Sequence, residues 1–300
     1  MAAAQPHAWT LLEVFAGCAN LTKVATNRPK WKVLPAQDVK YGLDLTLEEH
    51  QELLKDLIRT QQPDVITLSP PCGPWSTWQR MRKKRGVLRE LRRQRMPFWR
   101  LVVWIWAFQS QHGGLVLLEQ PEQSEALKLN VMHERKDVWQ KTVDQCALGL
   151  KDKLSGLPHK KPTAIQMNHP AVQNFPDARC WHQPGQHQPI EGSVRIRRDG
   201  QTVTMKRSTL AGEWSTPFCQ WMLGGLERAL EEAAHECSIS LAEPTPMNRI
   251  WESVPVDVED TPEGQLRQQM ALHDYDSKYD YISFAGTAAL LNKRMRSTLM

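Results

Sequence analysis

At 300 residues, with 38 Lys and Arg against 33 Asp and Glu, the chain is long enough to bury a large core unaided and carries a net charge of only +5. Its most apolar stretch, residues 101–108, is far too short to cross a bilayer as a helix. Six scattered cysteines (18, 72, 146, 180, 219 and 237), with no CxxC pair and no secretory apolar region, argue against a disulfide scaffold and for a reducing intracellular compartment.

Residues 9–15 read as a strand running into Ala16-Gly17, followed by a short helix over 18–27 and a second strand over 31–36. Thr46 and Glu49 have capping-box spacing, and Leu54, Leu57 and Ile58 then share one helix face. Residues 64–68 form a short apolar strand that stops at Ser69-Pro70-Pro71. Between Arg80 and Arg100 lie ten basic residues and one acid, Glu90, so a single segment makes the chain basic while the remainder is net acidic. Such a concentrated field suits a polyanion, a solvated helix face being the plainer alternative. An apolar helix over 98–111 and a buried strand over 115–119 come next. Strands alternating with helices at this rhythm predict an α/β fold with a parallel sheet covered on both sides. Its ligands then sit beyond the carboxyl ends of the strands.

After Lys161 the character changes. Residues 167–192 are rich in His, Gln and Pro, and 193–207 read as a hairpin about Asp199-Gly200. Alternation there puts Val194 and Ile196 on one face and Arg195 and Arg197 on the other. Thr216-Pro217 opens a long helix to about residue 237. The acid- and proline-rich stretch after it reads as linker or disordered tail.

Three sites carry chemistry. In Phe15-Ala16-Gly17-Cys18-Ala19-Asn20, a strand opens through small residues into a helix, where backbone N–H groups approach a ligand closely. Asp38 lies 21 residues after Gly17, where an acid accepts hydrogen bonds from ribose hydroxyls. An ordinary tight turn is the alternative. In Pro70-Pro71-Cys72-Gly73-Pro74, a stiff loop aims a thiol just before the basic segment, which favours thiolate; a buried small residue in a rigid turn is the alternative. Glu119 puts a carboxylate at the tip of an apolar strand, a candidate proton donor or else a helix cap or ion-pair partner. Cys180, His182 and His187 form a CxHx4H cluster that Cys146 can join in space, a weak metal candidate because the spacing is not that of a standard finger.

Phe15-x-Gly17, Pro71-Cys72-x-Pro74-x-Ser76 and Glu119, in that order on alternating strands, resemble the C5-cytosine DNA methyltransferase family over roughly residues 9–238. The resemblance implies a doubly wound, mostly parallel Rossmann-like methyltransferase sheet with a small β-containing insert. Residues 9–166 and 214–238 would form the core, 167–213 the target-recognition insert, and 239–300 a largely disordered linker and tail. It implies S-adenosyl-L-methionine at Phe15 to Asn20, with Asp38 on the ribose and Asp44 at the adenine. Cys72 becomes the nucleophile, Glu119 the acid, and the basic segment a mobile catalytic loop. Arg82, Lys83, Lys84, Arg85, Arg92, Arg93 and Arg95, with Arg195 and Arg197, become contacts to DNA, RNA not being excluded. In a eukaryote the implied location is nuclear.

The chain departs from the family at three places. Ala19 stands for the second glycine of the cofactor loop, Gln120-Pro121 for the Asn-Val after the glutamate, and Lys160-Lys161-Pro162-Thr163 for the Gln-x-Arg-x-Arg strand. Two readings therefore remain open: a cytosine methyltransferase, and a catalytically inactive relative that binds nucleic acid.

Overall fold

The computed structural model of the chain describes residues 8–129, 137–198 and 200–237. Its centre is a six-stranded sheet in the order β2-β1-β3-β4-β6-β5. Strands β1 (Trp9–Val14), β2 (Trp31–Val33), β3 (Val65–Leu68) and β4 (Leu115–Pro121) are parallel. β6 (Pro162–Met167) runs antiparallel to both β4 and the edge strand β5 (Trp139–Asp144). The sheet is thus mixed α/β and mostly parallel. The chain leaves β1 for β2 on one side and reaches β3 on the other, so the crevice at the carboxyl ends of β1 and β3 is a topological switch point.

The apolar runs of the central strands follow from burial on both faces. Leu12, Val14, Ile66, Leu68, Val116 and Leu118 point into one core. There they meet α2 (Glu48–Gln61) and α4 (Arg85–Gln111) through residues such as Leu54, Ile58, Trp99 and Trp106. Leu11, Val65, Leu115 and Leu117 point the other way, into a second core with α1 (Asn20–Thr26) and α6 (Thr216–Cys237). Ala171, Val172, Phe175 and Ala178 are buried in that second core, so residues 170–178 pack with the sheet. A separate hairpin, β7 (Ser193–Arg198) and β8 (Gln201–Lys206), pairs Arg198 with Gln201 about Gly200, at φ 80°. Val194 is buried while Arg195 and Arg197 are exposed, as alternation predicts. α5 (Arg207–Leu210) leads from the hairpin toward α6.

Several expectations need correction. The basic segment is helical rather than a loop: α3 (Thr77–Arg82) is followed by the 27-residue α4, which begins well before residue 98. Arg, Lys, Leu, Glu and Gln are good helix formers, and Pro97, which reads as a helix start, lies inside α4. The capping box does not form. Leu47 is the N-cap of α2, and the Thr46 hydroxyl donates to Asp44 instead. β2 is short: the Leu34 N–H still donates to the Leu11 carbonyl at 2.9 Å, but the next bond comes from Gln37, whose N–H donates to the Glu13 carbonyl at 2.8 Å, one residue later than regular alternation would place it. The tail over 239–300 lies outside the described residues. Among the described residues no helix is long and apolar enough to cross a membrane.

Candidate active site

β1 ends in a turn whose backbone swings repeatedly into the left-handed region, with φ of 56° at Phe15, 55° at Gly17 and 50° at Ala19. Left-handed backbone costs a residue with a Cβ roughly 1–2 kcal/mol, so Phe15 and Ala19 carry strain at a strand end. Ala19, where a second glycine is expected, therefore keeps a glycine-like conformation. Contacts from three other segments hold the turn. Ser69 donates to the Phe15 carbonyl at 3.0 Å, and the Asn20 amide donates to the Trp214 carbonyl at 2.7 Å. The Gly17 N–H donates to the Asp38 carboxylate at 3.0 Å. A side chain built at Gly17 would meet nothing within 4 Å, so the backbone there faces open space.

Glu13 escapes the sequence reading, although an acid inside the apolar run of β1 was an available signal. It is 1 % exposed, and its carboxylate accepts from the Thr22 N–H and hydroxyl at 2.8 and 2.7 Å. Burial raises its carboxyl from 4.5 to about 6, against the lowering effect of the Thr22 bonds. A raised carboxyl holds its proton more tightly when folded. Its contribution to stability is therefore full below pH 4.5 and is lost as pH rises through 6. Glu13→Gln keeps the acceptor for Thr22 and removes that loss. Denaturant titrations at pH 5 and pH 8 should show the variant's advantage over wild type growing by about 1 kcal/mol at the higher pH.

Cys72 follows β3 on a loop clamped from three directions. The Gln120 amide on β4 donates to the Pro70 carbonyl at 2.6 Å, and the Ser124 hydroxyl donates to the Gln120 amide oxygen at 3.1 Å. Gln120, which stands for the family's Asn, thus ties the Cys72 loop to β4. Ser69 adds the bond to Phe15, and Arg92 Nε donates to the Pro74 carbonyl at 3.1 Å. The Arg92 guanidinium also pairs with Glu125 and covers the Trp75 ring at 4.9 Å.

The expected depression of the thiol is not found. Burial pushes the Cys72 thiol up; Lys161 opposes this and Glu119 adds to it. The cation beside the sulfur is therefore Lys161, not the basic helix. Lys161 lies 3.3 Å from Glu119, and the Gln145 amide donates to the same carboxylate oxygen at 3.2 Å. β3 and β4 are neighbours, so Cys72 and Glu119 leave adjacent strand ends at one rim.

These residues share a cavity of about 880 Å³. Phe15, Gly17, Asp38, Cys72 and Glu119 line it, together with Glu13 and Lys161, which the motifs did not mark. Arg195 and Arg197 of the hairpin line it as well. Asp44 is not in the lining; its carboxylate accepts from the Thr46 N–H and hydroxyl and shapes the turn before α2. Of the basic segment, Arg93 pairs with Glu90 and Arg95 covers Phe98, while Lys83, Lys84 and Arg85 are exposed at the break between α3, which Arg82 ends, and α4. Cys146, Cys180, His182 and His187 gather outside this cavity.

No family model matches the chain, and no curated protein matches it in sequence. Among solved structures it is similar to a methyltransferase of Entamoeba histolytica, EhMeth. The two are 12 % identical over 53 % of this chain and 52 % of that one, with a TM-score of 0.30. The chain thus spans about half the length of that neighbour. So loose a likeness carries neither fold nor function, which rest on strand order and side chains.

Proposed function

We propose that the chain transfers a methyl group from S-adenosyl-L-methionine to C5 of cytosine in DNA, through a covalent bond between Cys72 and C6. The observation that carries this reading is the single cavity at the carboxyl ends of β1, β3 and β4. It holds a thiol, a carboxylate and a glycine turn with its acidic partner. The cavity fits the cofactor on two counts: the Gly17 backbone faces open space, and Asp38 stands one hydrogen bond away to receive ribose hydroxyls. When bound there, S-adenosyl-L-methionine supplies an electrophilic methyl group.

The protein's part is to make C5 nucleophilic. The base must first leave the stack to reach a loop this deep. The Cys72 thiolate then adds to C6, and the C5–C6 π pair moves onto C5 and toward N3. Glu119, on the neighbouring strand, faces N3; in its protonated form it donates a hydrogen bond to N3 and passes the proton over as the ring becomes more basic. Lys161 lies against both groups, so its ammonium favours the thiolate and the negative charge that addition spreads over the ring. After C5 takes the methyl, loss of its proton restores the double bond and expels Cys72.

Calorimetry with S-adenosylhomocysteine tests the cofactor half. Wild type should bind, and Asp38→Ala should bind about 10- to 100-fold more weakly, the value of one hydrogen bond to a charged group. No binding by wild type would leave a nucleic-acid-binding module in its place. The nucleic-acid half centres on Arg195 and Arg197, which are exposed on the hairpin and line the cavity. Replacing both by Ala should reduce the slope of log K against log salt by ~0.9 for each phosphate no longer neutralised. Arg92→Ala should leave that slope unchanged, because Arg92 is occupied by Glu125, Trp75 and Pro74.

A further inference from the structure

Cys146 lies in the helical turn Gln145–Leu148 just after β5; Cys180, His182 and His187 lie in the loop that follows residues 170–178. One ligating atom of each comes within 4.8 Å of the others. The Cys180 sulfur is 3.5 Å from His182 Nδ1 and 3.3 Å from His187 Nε2. With Zn–S near 2.3 Å and Zn–N near 2.05 Å, a tetrahedron has sulfur–nitrogen edges of about 3.5 Å. Both sulfur–nitrogen separations at Cys180 thus match edges of a zinc tetrahedron.

We infer that Cys146, Cys180, His182 and His187 form a structural zinc site that fixes the loop leading to the β7–β8 hairpin. Two thiolates and two imidazoles in a closed tetrahedron suit zinc better than magnesium, calcium or manganese, which prefer oxygen donors.

The surroundings hold the ligands in place before any metal binds. Asp144 Oδ2 accepts from the Cys180 N–H at 2.9 Å, and the Asp144 N–H donates to the Ala178 carbonyl at 2.8 Å, tying the loop to β5. Beside His187, Gln188 donates its N–H to the Pro158 carbonyl at 3.0 Å, and its own carbonyl lies 2.7 Å from His159 Nδ1. His159 Nε2 is 3.5 Å from Asp152, and Asp152 lies 3.2 Å from Arg207, the residue after β8. Arg207 also donates its N–H to the Gly192 carbonyl at 3.0 Å, just before β7. A contiguous series of polar interactions therefore links the ligand set to both ends of the hairpin that carries Arg195 and Arg197.

The test uses the full chain, expressed without a histidine tag and purified under reducing conditions without chelator. Elemental analysis should find about one zinc per chain, retained through dialysis and kept in Cys18→Ser. Cys180→Ser and His187→Ala should each lose it. Chelation should accelerate hydrogen exchange over residues 178–206 and leave β1, β3 and β4 unchanged. If the variants do not fold, wild type decides alone: cobalt added to stripped protein should give the intense visible bands of a tetrahedral dithiolate site. Absence of both bound zinc and those bands would overturn the proposal. So would a Cys146–Cys180 disulfide in freshly purified protein, found by non-reducing mass spectrometry.

Discussion

Cys72→Ser is expected to lower methyl transfer by about 10⁴-fold or more, the scale seen when a nucleophile is removed from a site whose members act as a unit. A serine hydroxyl is far less ionised than a thiol and adds poorly to C6, so C5 never becomes nucleophilic. The loop should survive the change. Its geometry is set by Gln120 on Pro70, Ser69 on Phe15 and Arg92 on Pro74, none of which involves the sulfur. Binding of S-adenosylhomocysteine and of a DNA duplex should therefore stay within about twofold of wild type, which is a difference of less than ~0.5 kcal/mol. Radiolabelled methyl incorporation and calorimetry on the same preparation make the comparison. Weakened cofactor binding in the variant would mean that Cys72 serves the cofactor pocket rather than the base.

Lys161→Met is expected to have the next largest effect. The Lys161–Glu119 pair is mostly buried, with side chains 18 % and 7 % exposed. Removing one partner leaves a carboxylate with only the Gln145 amide of its present side-chain partners, and should cost about 3 kcal/mol of stability. A purely structural role for Lys161 would end there. The proposed role predicts more, because Lys161 opposes the burial that pushes the Cys72 thiol up. Activity through thiolate rises with pH toward the thiol's own value. Losing Lys161 should move that rising limb to higher pH, with about tenfold lost near neutrality for each unit moved. Lys161→Arg should restore most of the profile. A lower but unshifted profile would confine Lys161 to packing.

The central sheet was legible in the sequence because strands buried on both faces must be short apolar runs; Val65–Leu68 and Leu115–Leu118 can hardly be read otherwise. β5 and β6 were not. Pro162 opens β6, where a missing N–H does no harm, and β5 is an edge strand carrying Gln140 and Lys141. The basic segment misled for another reason. Its charges suggest a field for a polyanion and the family resemblance makes it a loop, but Arg92 finds Trp75, Pro74 and Glu125, partners set by tertiary structure that no local pattern displays.

In the candidate site, the residues standing at strand ends were found because topology fixes where a strand's last side chains go. Asp38 and Gly17 meet in a hydrogen bond for that reason. Asp44 sits in the turn before α2, where its carboxylate is taken up by Thr46. Lys161 drew attention only as a departure from a family pattern. What it does is invisible until β6 is seen lying antiparallel beside β4, which brings residue 161 to Glu119. Cys146 likewise meets Cys180, distant along the chain, because β5 returns to the loop after residue 178.

The most direct measurement is covalent trapping on a duplex carrying 5-fluorocytosine. Fluorine at C5 blocks the proton loss that expels the nucleophile, so a chain working through Cys72 should stall as a denaturation-resistant adduct. Adduct formation should require S-adenosyl-L-methionine, disappear in Cys72→Ser and map by mass spectrometry to the peptide containing Cys72. Methyl transfer by wild type without any such adduct, or equal transfer by Cys72→Ser, would contradict the cytosine-C5 mechanism.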